Sequence, residues 1–249
     1  MVQELKIELT DACYSRQVEV AFSECDKNER MRIAALLDKI ALFGGYDYDA
    51  RGMRREVLLE MGYAFLLSRI AVRIHRCPQH SDVLTVRTWE NGVKGAHMQR
   101  VFEMFDQEER LCVSAKSDWI LVDPVSHKIH RPRGFTDATL ENRDHEIDCP
   151  APGKIALPKE GLEELGERRV VWSDLDGNGH LYSGRYGDIV WDYLPEDVQE
   201  KTPLEFYINY SKEAKLGDRL QLRGIREESG YRMEGLGAGG VCFSARIVY

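Results

Sequence analysis

Trp172-Ser-Asp-Leu-Asp-Gly-Asn-Gly-His180 repeats, 150 residues on, the pattern of Phe22-Ser-Glu-Cys-Asp-Lys-Asn-Glu-Arg30. An aromatic residue opens each stretch, Ser follows, and Asp and Asn recur together, ending on Arg30 in one copy and His180 in the other. Two more blocks recur in the same order. Ile70 to Arg87 aligns with Phe206 to Arg223, matching Asp82 to Asp218, Leu84 to Leu220 and Arg87 to Arg223. Cys112-Val-Ser-Ala-Lys116 aligns with Cys242-Phe-Ser-Ala-Arg246. The offset shrinks from 150 to 136 to 130, so the chain reads as two copies of one unit, the second with shorter connections.

A helix pattern comes directly after each stretch. Ile33, Leu36, Leu37 and Ile40 fall at i, i+3, i+4, i+7, the spacing of a helix with one apolar face, and Gly44-Gly45 predicts its stop. In the second copy Tyr186, Ile189, Val190, Tyr193 and Leu194 repeat that stripe, with Ser183 as the expected N-cap and Pro195 past the end. Beyond each helix come strand-like runs: Val83–Thr88, Met98–Phe105 and Leu111–Val122, then Phe206–Tyr210, Arg219–Arg223, Tyr231–Glu234 and Val241–Tyr249. A helix with an apolar stripe must lie on something, and the sheet beyond it is the partner the chain supplies. The order predicts an α+β fold, a tandem (double) hotdog in which each half wraps an antiparallel sheet around one long helix. The halves are expected at 1–135 and 159–249, joined by a proline-rich linker, 136–158, running over the surface.

Composition narrows the function classes. With a net charge of −8 and a pI near 5.5, bulk attraction to nucleic acid or anionic lipid is not expected. No apolar run reaches the roughly 20 residues of a bilayer span; Tyr63 to Val72 comes nearest, and Ser68 and Arg69 interrupt it. The opening residues carry acids where a signal peptide needs an apolar core, so a cytoplasmic protein is expected. Six scattered cysteines, with no Cys-x-x-Cys spacing, read as buried free thiols.

The chemistry sits ahead of the second helix. Asp174, Asp176, Asn178 and His180 alternate, so an extended backbone would aim them to one side. The first copy keeps Asp26 and Asn28 but has Arg30 for the histidine, so only one copy could be active. The alignment places Glu213 on the first strand after the helix, opposite Cys77, where a carboxylate suits a site better than a core. A calcium loop fails because its twelfth position is Arg185, a cation. His127-x-x-His130 lacks a third ligand and reads as a surface turn, so neither a metal nor a cofactor is expected. Gly235 to Gly240 reads as a mobile hairpin connection, and Trp89, Trp119, Trp172 and Trp191 as core or tunnel wall.

With these residues assembled, the chain resembles the acyl-acyl-carrier-protein (acyl-ACP) thioesterases of plants and bacteria over nearly its whole length. The resemblance rests on Asp174-Leu-Asp-Gly-Asn-Gly-His180, on Leu204 to Ala214, and on Leu67-Ser-Arg-Ile-Ala-Val72 and Ser117-Asp-Trp-Ile-Leu-Val-Asp123. It implies a double hotdog that hydrolyses fatty acyl thioesters on acyl carrier protein, with the acyl tunnel in the first half. The family's catalytic roles then fall on Asp176, Asn178, His180 and Glu213. Plant members carry a cysteine after that glutamate; here it is Ala214, so water must attack directly. Which of Glu213 and His180 is the base stays open. Backbone N–H groups from Gly179 to Gly184 would serve as oxyanion donors. Arg51, Arg54, Arg55, Lys128, Arg131 and Arg133 could receive the acidic carrier, and read equally well as scattered solvated charges. An acyl-CoA thioesterase and a non-catalytic acyl-thioester-binding hotdog remain as alternatives, and homodimerisation is open.

Overall fold

A computed structural model describes residues 5–132 and 145–249. The first copy supplies β1 (Ile7–Leu9), β2 (Tyr14–Glu19), β3 (Ala64–Ile74), β4 (Val83–Lys94), β5 (His97–Phe105) and β6 (Leu111–Val122). The second supplies β7 (Glu163–Arg169), β8 (Glu205–Tyr210), β9 (Arg219–Glu227), β10 (Gly230–Gly237) and β11 (Gly240–Val248). Together they form one 11-stranded sheet in the order β1-β2-β4-β5-β6-β3-β8-β11-β10-β9-β7. From the middle outward the two halves mirror each other, and they join where β3 pairs antiparallel with β8, Ile70 opposite Ile208. This is the tandem hotdog, α+β.

Each half closes on its own helix, α1 (Ile33–Ala50) in the first and α3 (Arg185–Asp192) in the second. Leu36, Leu37, Ile40 and Phe43 of α1 share a core with Val86, Phe102 and Met104 of the first sheet half. Ile189 and Val190 of α3 meet Leu222, Met233 and Phe243 of the second, and both sets belong to one continuous core. Two short helices, α2 (Arg55–Glu60) and α4 (Glu196–Gln199), come after the long ones. No helix among the described residues is long and apolar enough to cross a membrane.

The two long helices pack on each other through glycine. A Cβ built on Gly187 would lie 2.7 Å from the backbone nitrogen of Ala34, where only hydrogen fits. Gly187→Ala is therefore expected to destabilise by about 1–3 kcal/mol, read from chemical denaturation. Gly45→Ala is the control: it is helical with nothing within 4 Å, so it should gain about 0.5–1 kcal/mol.

Several expectations are corrected. Gly44-Gly45 does not stop α1, which runs on to Ala50. The extra turn carries Asp47 and Tyr48 to buried partners on β4 and β5, and that tertiary gain outweighs glycine's poor helix propensity. Ser183 is not the N-cap of α3. Gly184 holds that place with no side-chain cap, and the Ser183 carbonyl accepts the Tyr210 hydroxyl instead. Pro195 does come after α3, but as the residue that starts α4. The segment expected as a surface linker dips inward at Ile147 and Cys149, which are buried against Ala71, Trp89 and Val101 on the sheet's outer face; residues 136–144 of it lie outside the described residues. Trp172 is 79% exposed rather than core. Of the six free thiols, Cys112, Cys149 and Cys242 are buried and Cys13, Cys25 and Cys77 half-buried.

Candidate active site

The stretch from Trp172 to His180 is not extended. Trp172–Asp174 form one 3₁₀ turn, and residues 176 to 180 close a separate hydrogen-bonded turn. The Asp176 backbone N–H donates to the His180 carbonyl (2.8 Å), while Asp176 Oδ1 accepts the N–H groups of Asn178 (2.8 Å) and His180 (3.1 Å). Gly179 sits at φ +77°, a left-handed conformation the turn requires. Alternate residues are thus brought together by a side chain binding its own backbone. Asp174 leaves the group: it takes Arg168 through both carboxylate oxygens (2.9 Å each) and caps the Val171 N–H.

Glu213 is not on the strand as expected; it lies three residues beyond the end of β8. The Leu181 N–H donates to the Ala214 carbonyl (2.8 Å), and His180 bridges to Lys215. These bonds lay the Glu213 segment beside the turn. His180 Nε2 then stands 3.1 Å from Glu213 Oε2, with the two side chains 26% and 39% exposed. Asn178 completes the group, its Nδ2 3.4 Å from Asp176 Oδ2 and its Oδ1 accepting from Arg55 Nη2 at 2.9 Å.

Asn178, His180 and Glu213 line one side of a cavity of about 440 Å³. Its remaining wall comes from the first half: α1 through Tyr48, α2 through Leu58, then Phe65, Met98 and Trp119. An apolar chain could lie there with its polar end among the three side chains.

The same wall includes Arg100 and Glu90, part of a charged group that the sequence patterns did not single out. Arg100, 1% exposed, donates to Asp47 Oδ2 (2.8 Å) and Glu90 Oε1 (2.7 Å), and the Tyr48 hydroxyl also binds Glu90 (3.0 Å). The signal was present. Arg100 stands between Met98 and Phe102 on the inward face of β5, and Asp47 extends the apolar stripe of α1 by one turn. A charge on a core face needs a buried partner.

The first copy builds the same turn. Asp26 Oδ1 accepts the N–H groups of Asn28 (2.8 Å) and Arg30 (3.0 Å), and Arg30 then donates back to Asp26 Oδ2 (2.9 Å) and across to Thr202. Opposite is Cys77, whose thiol burial pushes up to about 11. Arg30 is thus held by Asp26 and Thr202 at the position where the second copy sets His180 beside Glu213.

Two further expectations change. The N–H groups of Gly179 to Tyr182 are all committed within the turn and to Asp174 and Ala214, so of the expected Gly179–Gly184 donors only those of Ser183 and Gly184 are left for an oxyanion. Of the six cations expected to meet a carrier, Arg51 is held by Asp47 and the carbonyls of Thr10 and Asp11, and Arg55 by Asn178. Arg54, Lys128 and Arg131 are exposed, and Arg133 lies outside the described residues. His127 lines the cavity, while the His130 ring packs edge-on against Tyr63. Among the described residues no three His, Cys, Asp or Glu gather as a metal site.

The fold and the asymmetric pair of turns define a double-hotdog protein with one polar cluster retained. Residues 11–133 match the family model for the acyl-ACP thioesterase N-terminal domain, and residues 160–236 match that for the C-terminal domain. The chain belongs to the acyl-ACP thioesterase family. An oleoyl-acyl carrier protein thioesterase of Coriandrum sativum chloroplasts is 23% identical over 174 residues, which is 62% of this chain but only 45% of that protein, under half its length. The fold is shared with an acyl-ACP thioesterase from Bacteroides thetaiotaomicron (TM-score 0.86, 22% identity, 95% of this chain and 97% of that one). It is shared also with the 12:0-ACP thioesterase from Umbellularia californica (TM-score 0.82, 16% identity, 97% and 98% covered).

Proposed function

We propose that this protein is a hydrolase that releases free fatty acid from acyl carrier protein by direct attack of water on the thioester. One observation carries the reading: the His180–Glu213 pair, 3.1 Å apart, on the wall of a cavity lined largely by apolar side chains of the first half. Family membership supports the substrate class, and the geometry supports the roles.

In this reading Glu213 takes a proton from water as the oxygen bonds to the thioester carbon, and His180, hydrogen-bonded to Glu213, holds the water or the thioester in line. Asp176 acts through the turn, fixing both Asn178 and His180. The tetrahedral oxyanion collapses by breaking the C–S bond. A thiol with a pKa near 8.5 leaves as thiolate, so no strong acid is required. The thiolate then takes up the proton. Ala214 stands where a cysteine would be needed for a covalent route.

Single-turnover hydrolysis in ¹⁸O-water tests the route. Every released fatty acid should carry one solvent oxygen, and no acylated protein should be seen by mass spectrometry. Unlabelled product, or an acyl adduct on the protein, would exclude direct attack. Acyl chains of graded length on carrier protein and on CoA test the handle. The value of kcat/KM should be higher on the carrier, and a preference for CoA would overturn that part.

A further inference from the structure

We propose that Arg55 is a positioning residue for this hydrolysis: it turns the Asn178 side chain so that its NH2 group, not its oxygen, faces the thioester. The inference rests on the hydrolytic reading of the same site.

Arg55 is the first residue of α2, in the half opposite Asn178, and reaches across to donate to Asn178 Oδ1 at 2.9 Å. A guanidinium only donates and a carboxylate only accepts. Arg55 therefore fixes the amide oxygen on its own side, and Asp176 Oδ2 takes the nitrogen at 3.4 Å. Both neighbours select one of the two amide orientations. Nδ2 carries two hydrogens, so one is left for the cavity that Asn178 lines with His180 and Glu213. A donor there stabilises negative charge growing on the thioester oxygen; the flipped amide would present a second oxygen and repel it. With the backbone N–H groups of Gly179 to Tyr182 committed, the Asn178 amide is a side-chain donor the turn offers in their place.

The inactive copy supplies the contrast. There the residue just after α4 is Glu200, which pairs with Lys27. Lys27 holds the Glu200 carboxyl below its ordinary range. The same turn is approached by an acid in one copy and by an arginine in the other, and only the arginine can hold an amide oxygen.

The test uses the whole chain and an acyl-N-acetylcysteamine thioester, which has neither carrier nor phosphate. On it, Arg55→Ala should lower kcat about tenfold, the loss of one charge-assisted hydrogen bond's help. Arg55→Lys should recover part of it, because an ammonium also only donates. Arg55→Ala combined with Asn178→Ala should be no slower than Asn178→Ala alone. If Arg55→Ala keeps kcat on this thioester and raises only KM for acyl carrier protein, Arg55 docks the carrier and the proposal falls. Additive losses in the double variant would also overturn it. An unimpaired Asn178→Ala protein is a different failure, one that removes Asn178 from the hydrolytic site itself.

Discussion

Glu213→Gln is expected to lower kcat by about 10²–10⁴-fold, the range set by loss of a general base, with the thermal midpoint unchanged. The two halves of this result have separate causes. Glutamine keeps the size and polarity of the side chain, and at 39% exposure the site has little packing to lose. Its backbone neighbours stay in place, because the bonds that hold the segment run through Leu181, Ala214 and Lys215. Glutamine cannot, however, accept a proton from water. His180→Ala should cost a comparable factor, since it removes the partner 3.1 Å from Oε2. The double variant should be hardly slower than either single one, because the pair acts as a unit. Steady-state kinetics on an acyl carrier substrate give all three numbers. A Glu213→Gln protein retaining a tenth of the parent kcat would remove Glu213 from the chemistry.

How much of the molecule is legible in its sequence depends on which force sets each feature. The tandem architecture could be read because burial has a period: the α1 stripe and the β6 limits, Leu111–Val122, come directly from apolar spacing. The meeting of His180 with Glu213 was approached through the repeat, which aligned Glu213 with Cys77; both prove to lie just past the end of a strand rather than on it. The shape of the Asp176 turn was not legible, because alternation fits an extended strand and a side-chain-closed turn equally well. Nor was the Arg55 contact. It joins residues 123 positions apart across the two halves, and an arginine beside others reads as a solvated patch. The end of α1 is hidden from the sequence for a similar reason. Local propensity says stop at Gly44-Gly45, and only knowledge of Arg100 on another strand explains why the helix continues.

Arg100 is also where the largest loss of stability is expected. Arg100→Met should destabilise the protein by about 3–5 kcal/mol, the cost of leaving buried charges without their partner. Methionine fills much of the same volume, so packing is a minor part of the effect. The carboxylates are the problem. Asp47, 1% exposed, would keep Arg51 on Oδ1 but lose the partner of Oδ2. Glu90 would keep only the Tyr48 hydroxyl, and its Oε2 is already buried without a hydrogen bond. Arg100→Lys should lose less, because it retains the charge but cannot fork between two carboxylates 2.7 and 2.8 Å away. Urea unfolding measures both variants, with the midpoint shifting and the slope unchanged. The decisive comparison is the triple replacement Asp47→Leu, Glu90→Met and Arg100→Met. If unpaired charge is the cause, removing all three should restore most of the stability that Arg100→Met alone takes away, since an apolar core of equal volume needs no partners. If the triple variant is instead as unstable as the single one, the contribution of Arg100 is shape, and the ion pairs contribute nothing net.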